Sequence, residues 1–190
     1  MKNVILNAKI KKKKYEIFGD MIFTHFGISG PGVLKLSSYL NKTLKDIPIE
    51  ITLDFLKDKS KEEISKIIRQ NSNKTILNNL KGILPNNFLK EMVSLLNLTE
   101  VKPSELKKED ENKLINYIKE MKLTANDTLS IKGAMVTSGG VSVKEINSST
   151  MESKIIKNLF FAGEVIDIDA ETGGYNLQIA FSTGYLAGSN

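Results

Sequence analysis

The apolar residues of this chain change period twice along its length, and that change decides what it can fold into. Val4 to Ile10, Tyr15 to Phe18 and Met21 to Thr24 are short apolar-rich runs bounded by Lys11 to Lys14 and by Gly19-Asp20, the texture of strands joined by turns, so the chain opens as an antiparallel sheet. Ser29 or Gly30 can cap, and Pro31 can start, a short helix reaching about Tyr39, and Ile47 to Phe55 follows as another strand. From Lys59 to Met121 the spacing becomes three and four: Ile64, Ile67, Ile68; Ile76, Leu77, Leu80; Phe88, Leu89, Met92, Val93, Leu96; Leu114, Ile115, Ile118. This predicts helices separated at Asn71-Ser72-Asn73, at Gly82 to Pro85 and around Pro103. Lys122 to Ile131 then returns to strand, continued by Ala134 to Thr137 toward Gly139-Gly140, so a helical excursion interrupts a sheet. Farther on, Asn158 to Gly163 reads as a buried strand and Tyr175 to Ala187 as a helix preceded by Thr172-Gly173-Gly174.

With 190 residues, 41% of them hydrophobic, the chain can bury a core of its own. No apolar run approaches the roughly 18 residues that span a bilayer, and Met1-Lys2-Asn3-Val4 runs into a lysine cluster rather than a secretory signal, so the expectation is a soluble, cytoplasmic protein without a membrane partner. The absence of cysteine excludes disulfides and thiol chemistry, and one histidine, His25, leaves no basis for an all-protein zinc site; no metal is expected. The net charge of +5 is uneven: residues 1–154 hold 26 lysines and arginines against 18 acids, residues 155–190 one against four. Such an excess raises nucleic acid as a partner. Yet 26 of the 27 basic residues are lysine, whereas base recognition leans on arginine forks and aromatic stacking, so Lys11 to Lys14 reads as a solvated hairpin and nucleic acid is not the expected partner. A lysine-rich nucleic-acid module centred on Lys9 to Lys14 and the helices stays as an alternative, beside a noncatalytic interaction module.

The chemistry lies near the C-terminal end. A strand ending in Gly163-Glu164, then a glycine pair opening a helix, places backbone N–H groups at a positive helix end, which attracts anions such as a pyrophosphate or the N1–C2 edge of a reduced isoalloxazine. Alone, such a pair is common and most helix starts bind nothing. Gly27-Ile28-Ser29-Gly30-Pro31 is no nucleophile elbow, because G-x-S-x-G is broken by Pro31 and the sole histidine lies only four residues before Ser29. Nothing fixes the separation of Glu145, Glu152 and Asp167. No catalytic residue is assigned.

Taken in order, Gly19-Asp20-Met21-Ile22-Phe23-Thr24-His25-Phe26-Gly27-Ile28-Ser29-Gly30-Pro31, Ala134-Met135-Val136-Thr137-Ser138-Gly139-Gly140-Val141, Thr150-Met151-Glu152-Ser153-Lys154, Leu159-Phe160-Phe161-Ala162-Gly163-Glu164-Val165-Ile166-Asp167 and Gly173-Gly174-Tyr175-Asn176-Leu177-Gln178 resemble successive motifs of the second half of a bacterial NAD(P)/FAD-dependent oxidoreductase family that includes aminoacetone oxidases and bile-acid enone reductases. The resemblance implies an α+β chain. Residues 1–55 and 123–150 would form an antiparallel β-barrel-like domain, 56–122 a helical insert, and 151–190 the returning strand and helix of a Rossmann-type FAD domain. It places Gly163 and Glu164 toward the ribityl or pyrophosphate part of FAD, and Gly139, Gly140, Gly173, Gly174, Tyr175 and Asn176 near the isoalloxazine, with Val141 beside the first pair. The family's G-x-G-x-x-G phosphate loop is absent from this sequence, since Gly27, Gly30 and Gly32 read G-x-x-G-x-G in another context. The implied partners are therefore an N-terminal FAD-binding half, in cis or in trans, a small-molecule substrate, and NADH or NADPH as candidate reductant. Without that half, the apolar residues Phe160, Phe161, Leu177, Ile179, Ala180 and Phe181 must fold onto the barrel, bury against a second copy of the chain or remain mobile, so a homo-oligomer is one expectation. FAD binding by this chain alone is expected to be weak or absent.

Overall fold

A computed structural model describes residues 1–10, 12–40 and 48–190, which divide into two compact units, Met1–Leu36 with Asp46–Asn126 and Ser37–Lys45 with Asp127–Asn190. Lys11 of the lysine run and Ile47 of the expected fourth strand lie outside the described residues.

The first unit is α+β. Its sheet contains β1 (Val4–Ile10), β2 (Lys13–Gly19), β5 (Ile49–Asp54) and β6 (Met121–Ala125) in the order β2-β1-β5-β6, antiparallel throughout. The register places Leu6 opposite both Ile17 and Leu53, and Ala8 opposite Ile51. Val4, Leu6, Ala8, Ile10, Ile17, Ile49, Ile51 and Leu53 are all buried, so the two-residue alternation gives the sheet one apolar face. A small hairpin, β3 (Ile22–Thr24) with β4 (Gly27–Ser29), leads into α1 (Pro31–Leu40). The Leu34 N–H donates to the Gly30 carbonyl, making Gly30 the cap and Pro31 the first helical residue. Glycine is needed at the backbone crossing where α1 starts, because a Cβ on Gly19 would lie 2.8 Å from Gly32 Cα.

Between β5 and β6 come α2 (Lys61–Arg69), α3 (Ile76–Leu80), α4 (Asn86–Leu95) and α5 (Lys108–Lys119). Ser60 and Glu63 close a capping box on α2, and Thr75 caps α3 through the Asn78 N–H. Each cap contributes about 1 kcal/mol. Ile64, Ile68, Ile76, Leu80, Leu89, Val93, Leu114 and Ile118 are fully buried, at about 1.5–3 kcal/mol each, so burial holds the helices together and the caps set their ends. One polar clamp crosses this core. The Glu111 carboxylate, with no exposed side-chain surface, accepts from Arg69 Nη2 at 2.7 Å and also from Ser65, while Arg69 Nη1 donates to the Pro103 carbonyl at 3.0 Å.

Two strand expectations need correction. The strand expected over Lys122 to Ile131 ends at Ala125, Ile131–Gly133 is a 3-10 turn, and Ala134 to Thr137 forms no strand. Ala125 pairs with Ile49, the first residue of β5, and this is the last rung of the ladder among the described residues. Asn158 to Gly163 is likewise not a buried strand. It makes one bridge, Phe160 with Glu152, and Leu159 is 37% exposed, because no neighbouring strand among the described residues offers a continuing ladder.

The second unit is built from turns and isolated bridges around Ile146, Met151 and Ile166, with Val141, Phe161, Leu186 and Ala187 packed on them. Its long helix is α6 (Tyr175–Gly188).

Candidate functional site

The glycine motifs meet in the second unit through backbone contacts. The Val141 N–H donates to the Val165 carbonyl at 2.8 Å and the Asp167 N–H to the Val141 carbonyl at 2.9 Å, a parallel bridge centred on Val141 and Ile166. Gly140 (φ +146°) lies so close to this crossing that a Cβ would sit 2.3 Å from the Val165 oxygen, whereas Gly139 (φ +104°) faces open space. The Glu164 carboxylate accepts from the Thr137 N–H at 2.6 Å and from its hydroxyl at 2.9 Å. Those two donors, the N–H first, hold Glu164 below the ordinary carboxylate range, so it stays an anion with its lone pairs directed at the 134–141 segment. Gly139, Gly140, Val141, Gly163 and Glu164 therefore form one contiguous surface. The role of Thr137 as Glu164's partner carried no sequence signal of its own.

Gly163 adopts φ +71° and opens the 3-10 turn Gly163–Val165. Its N–H donates to Thr183 Oγ1 at 2.9 Å, that hydroxyl donates to the Ile179 carbonyl at 2.7 Å, and a Cβ on Gly163 would meet Ala180 at 3.6 Å. Small residues here let a turn sit on the flank of α6. Thr183 was missed in the sequence because one helix interior threonine looks like any other.

The start of α6 at Tyr175 lies five residues before Ala180, about 7.5 Å along the axis at 1.5 Å per residue. Gly174 caps it in the left-handed conformation, φ 92° and ψ −8°, with no side-chain cap and no acid in the first turn. The first N–H groups of the helix thus face outward beside Gly173 and Gly174, neither of which carries a Cβ that could crowd a ligand. Tyr175 is exposed. Asn176 is committed to the adjacent loop, its Oδ1 accepting from the Ala170 N–H and its Nδ2 donating to the Ala170 carbonyl, both at 2.9 Å. The Tyr39 hydroxyl donates to the Glu171 carboxylate and ties down the same loop.

The described residues contain no group of three His, Asp or Glu side chains placed to hold a metal, and no helix among them is long and apolar enough to cross a membrane. What the arrangement offers is the uncapped N–H groups at the start of α6 beside glycines without side chains, a setting that favours an anion.

Comparison with known proteins agrees with the ordered motifs. The chain is 34% identical over 176 residues to a 3-dehydro-bile acid delta(4,6)-reductase of Clostridium scindens, covering 90% of this chain and 43% of that protein. It is 34% identical to a ribosomal RNA dihydrouridine synthase of Haemophilus influenzae, covering 88% of this chain and 41% of the relative, and 33% identical to the Escherichia coli protein of the same name, covering 87% and 40%. The chain spans about two-fifths of the length of the curated relatives it matches. The match that defines a family runs over residues 1–136, through the sheet and the helical excursion and ending before Gly139, and by it the chain belongs to the family described as HI0933-like protein barrel and H2TH domain.

Proposed function

We propose that this chain is the flavin-facing and substrate-side portion of an FAD-dependent oxidoreductase, and that the reaction adds hydrogen across a carbon–carbon double bond. The similarity over nearly the whole chain to relatives of two names carries this reading: a delta(4,6)-reductase and a dihydrouridine synthase both produce a saturated bond from an unsaturated one. The two substrates, a steroid acid and an RNA, share a double bond conjugated to a carbonyl and a negative charge elsewhere in the molecule.

The residues present fit a flavin. Gly139, Gly173 and Gly174 lack side chains where a ring would approach, and the uncapped start of α6 supplies N–H donors to an anionic edge. A helix end stabilises such charge by about 0.3–1 kcal/mol, up to about 2 when partly buried, enough to tune a two-electron potential by tens of millivolts at about 30 mV per 1.4 kcal/mol. Reduced flavin, once bound, supplies the hydride, with NADH or NADPH as its source of electrons. The chain's own residues position and exclude. Asn176 fixes the loop beside the helix start, the Glu164–Thr137 pair holds the two glycine segments in register, and Gly163 keeps that register seated on α6.

The adenosine and pyrophosphate half of FAD is held by the remainder of such a protein, from the same polypeptide or a separate chain. Titration with FAD, followed by flavin fluorescence and absorbance, tests this on the chain alone and with a segment equivalent to the uncovered part of the relatives. Tight binding is expected only for the combination. A combination that assembles and never retains flavin would refute the reading.

A further inference from the structure

Adding hydrogen across a conjugated double bond takes a hydride at one carbon and a proton at the other. The hydride is the flavin's; the proton comes from a positioned acid or from water. The chain offers few such acids, since it has no cysteine and its one histidine, His25, sits on the β3–β4 hairpin of the first unit. In the second unit, Glu164 accepts both hydrogen bonds of Thr137 and is held as an anion, so it has no proton to give. Tyr39, Tyr175 and Tyr185 are the phenols of that unit.

One of the three stands in a cavity. From Ser37 onward α1 belongs to the second unit, and its last turn lays Ser38 and Tyr39 against Asp169, Ala170 and Glu171 around a space of about 370 Å³. The Tyr39 hydroxyl is bonded to the Glu171 carboxyl group. Tyr175 and Tyr185 are largely exposed, and among the described residues no carboxyl group bonds to either hydroxyl. The cavity is also fixed in place. Asn176, in the first turn of α6, holds both backbone groups of Ala170, so the wall that carries Asp169 and Glu171 is fastened to the helix start that the proposed function gives to the flavin. A bond between a phenol and a carboxyl group can run either way. With Glu171 ionised, Tyr39 donates; with Glu171 protonated, the carboxyl donates and the phenol proton is released to the cavity.

We propose, resting on the reductase reading above, that Tyr39 is the catalytic acid of the reduction and that Glu171 refills it. Hydride addition at the β-carbon leaves an enolate. The Tyr39 O–H bond then breaks as a C–H bond forms at the α-carbon, the Glu171 proton passes to the phenol oxygen, and Glu171 takes its replacement from water, which reaches the pair because Tyr39 is 41% exposed. Both electrons come from the reduced flavin. The substrate gains one hydride and one proton and leaves as the saturated carbonyl compound.

The pair is tested first without flavin. In NMR of the 190-residue chain with its five tyrosines labelled at Cζ, the signal that Tyr39→Phe removes is expected to shift in Glu171→Gln while the others stay. A signal that does not move overturns the pairing, whatever becomes of the flavin reading. In the flavin-loaded combination described above, Tyr39→Phe is expected to bind FAD with the parent's affinity and to be reduced by dithionite at the parent's rate. Its reoxidation by cyclohexenone or testosterone should be slower by about 100-fold or more, the range for a lost general acid, with roughly tenfold for Glu171→Gln. Reoxidation by molecular oxygen puts no proton on carbon and should be unchanged in both variants, a separation that a loosened loop would not produce. A fluorotyrosine at position 39, which keeps the ring and the bond to Glu171 and alters the acidity of the phenol, should change the enone rate and leave the oxygen rate alone. An enone rate in Tyr39→Phe within about threefold of the parent, or equal losses with enone and oxygen, would overturn the inference and leave the reductase reading standing. A parent that holds flavin and reduces neither enone would overturn that reading, and the inference with it.

Discussion

A methyl group on Gly140 would stand 2.3 Å from the Val165 oxygen, while one on Gly139 meets nothing within 4 Å. The two glycines look alike in sequence and have different duties. Gly140 is glycine because the bridge through Val141 passes too closely for a side chain; Gly139 leaves a surface bare. Gly140→Ala is accordingly expected to cost more than the roughly 1–3 kcal/mol of backbone strain alone, opening the Val141–Ile166 bridge. Gly139→Ala carries only the strain. Hydrogen exchange at the Val141 and Asp167 amides separates them: fast exchange in the first variant and near-parent protection in the second is the expected pair, and equal protection in both would show that the close approach is not what requires glycine. The same distinction marks how far residues could be read. The ordered glycine motifs were legible because each is short and contiguous, whereas Thr137 and Thr183, which hold them in place, act across 27 and 20 residues of chain and had no local sign.

At the scale of elements, the helices and the first strands were legible from periodicity, since β1, α2, α4 and α5 each bury one face of the expected pattern. The errors came where a strand depends on a partner. Residues 126–137 and 158–163 have the right composition and find no strand to pair with among the described residues, and no local pattern contains that information. The Arg69–Glu111 clamp was equally invisible, because a glutamate four residues into a helix looks solvated until α2 closes over it. The Arg69 guanidinium, opposed by burial and aided by Ser65, holds the Glu111 carboxyl at about 2 against an ordinary 4.5. A depressed carboxylate contributes stability that is present above about pH 4.5 and is lost as pH falls toward 2. Arg69→Met is expected to destabilise the first unit by about 3 kcal/mol, the low end for breaking a buried pair because Arg69 itself is partly solvated. Its acid-side loss of stability should also be shallower. Urea melts followed by helical circular dichroism between pH 2 and 7 check both, and a variant with the parent's stability and pH profile would remove the clamp from the account.

For the molecule as a whole, α6 contains no buried residue, and Leu177, Phe181 and Tyr185, spaced by four, are 64%, 70% and 79% exposed. One apolar stripe of a long helix therefore faces water. In the proposed oxidoreductase the remainder of the protein covers it; in the isolated chain a second copy is the available cover, and concentration-dependent self-association is the expected outcome in sedimentation velocity. Phe181→Lys with Tyr185→Lys should return the chain to monomer, and a parent that stays monomeric at high concentration counts against this use of the stripe.

The sheet carries a different consequence. Leu53 and Met121 stand side by side across the ladder, so the entire helical excursion leaves and re-enters the fold at a single rung between β5 and β6. Topologically it is the loop of one hairpin, and a hairpin loop can be lengthened, shortened or exchanged at little cost to the strands that frame it. The excursion is thus an exchangeable cassette: evolution or an engineer could graft another module onto the same rung and leave the sheet's apolar face and its register unchanged.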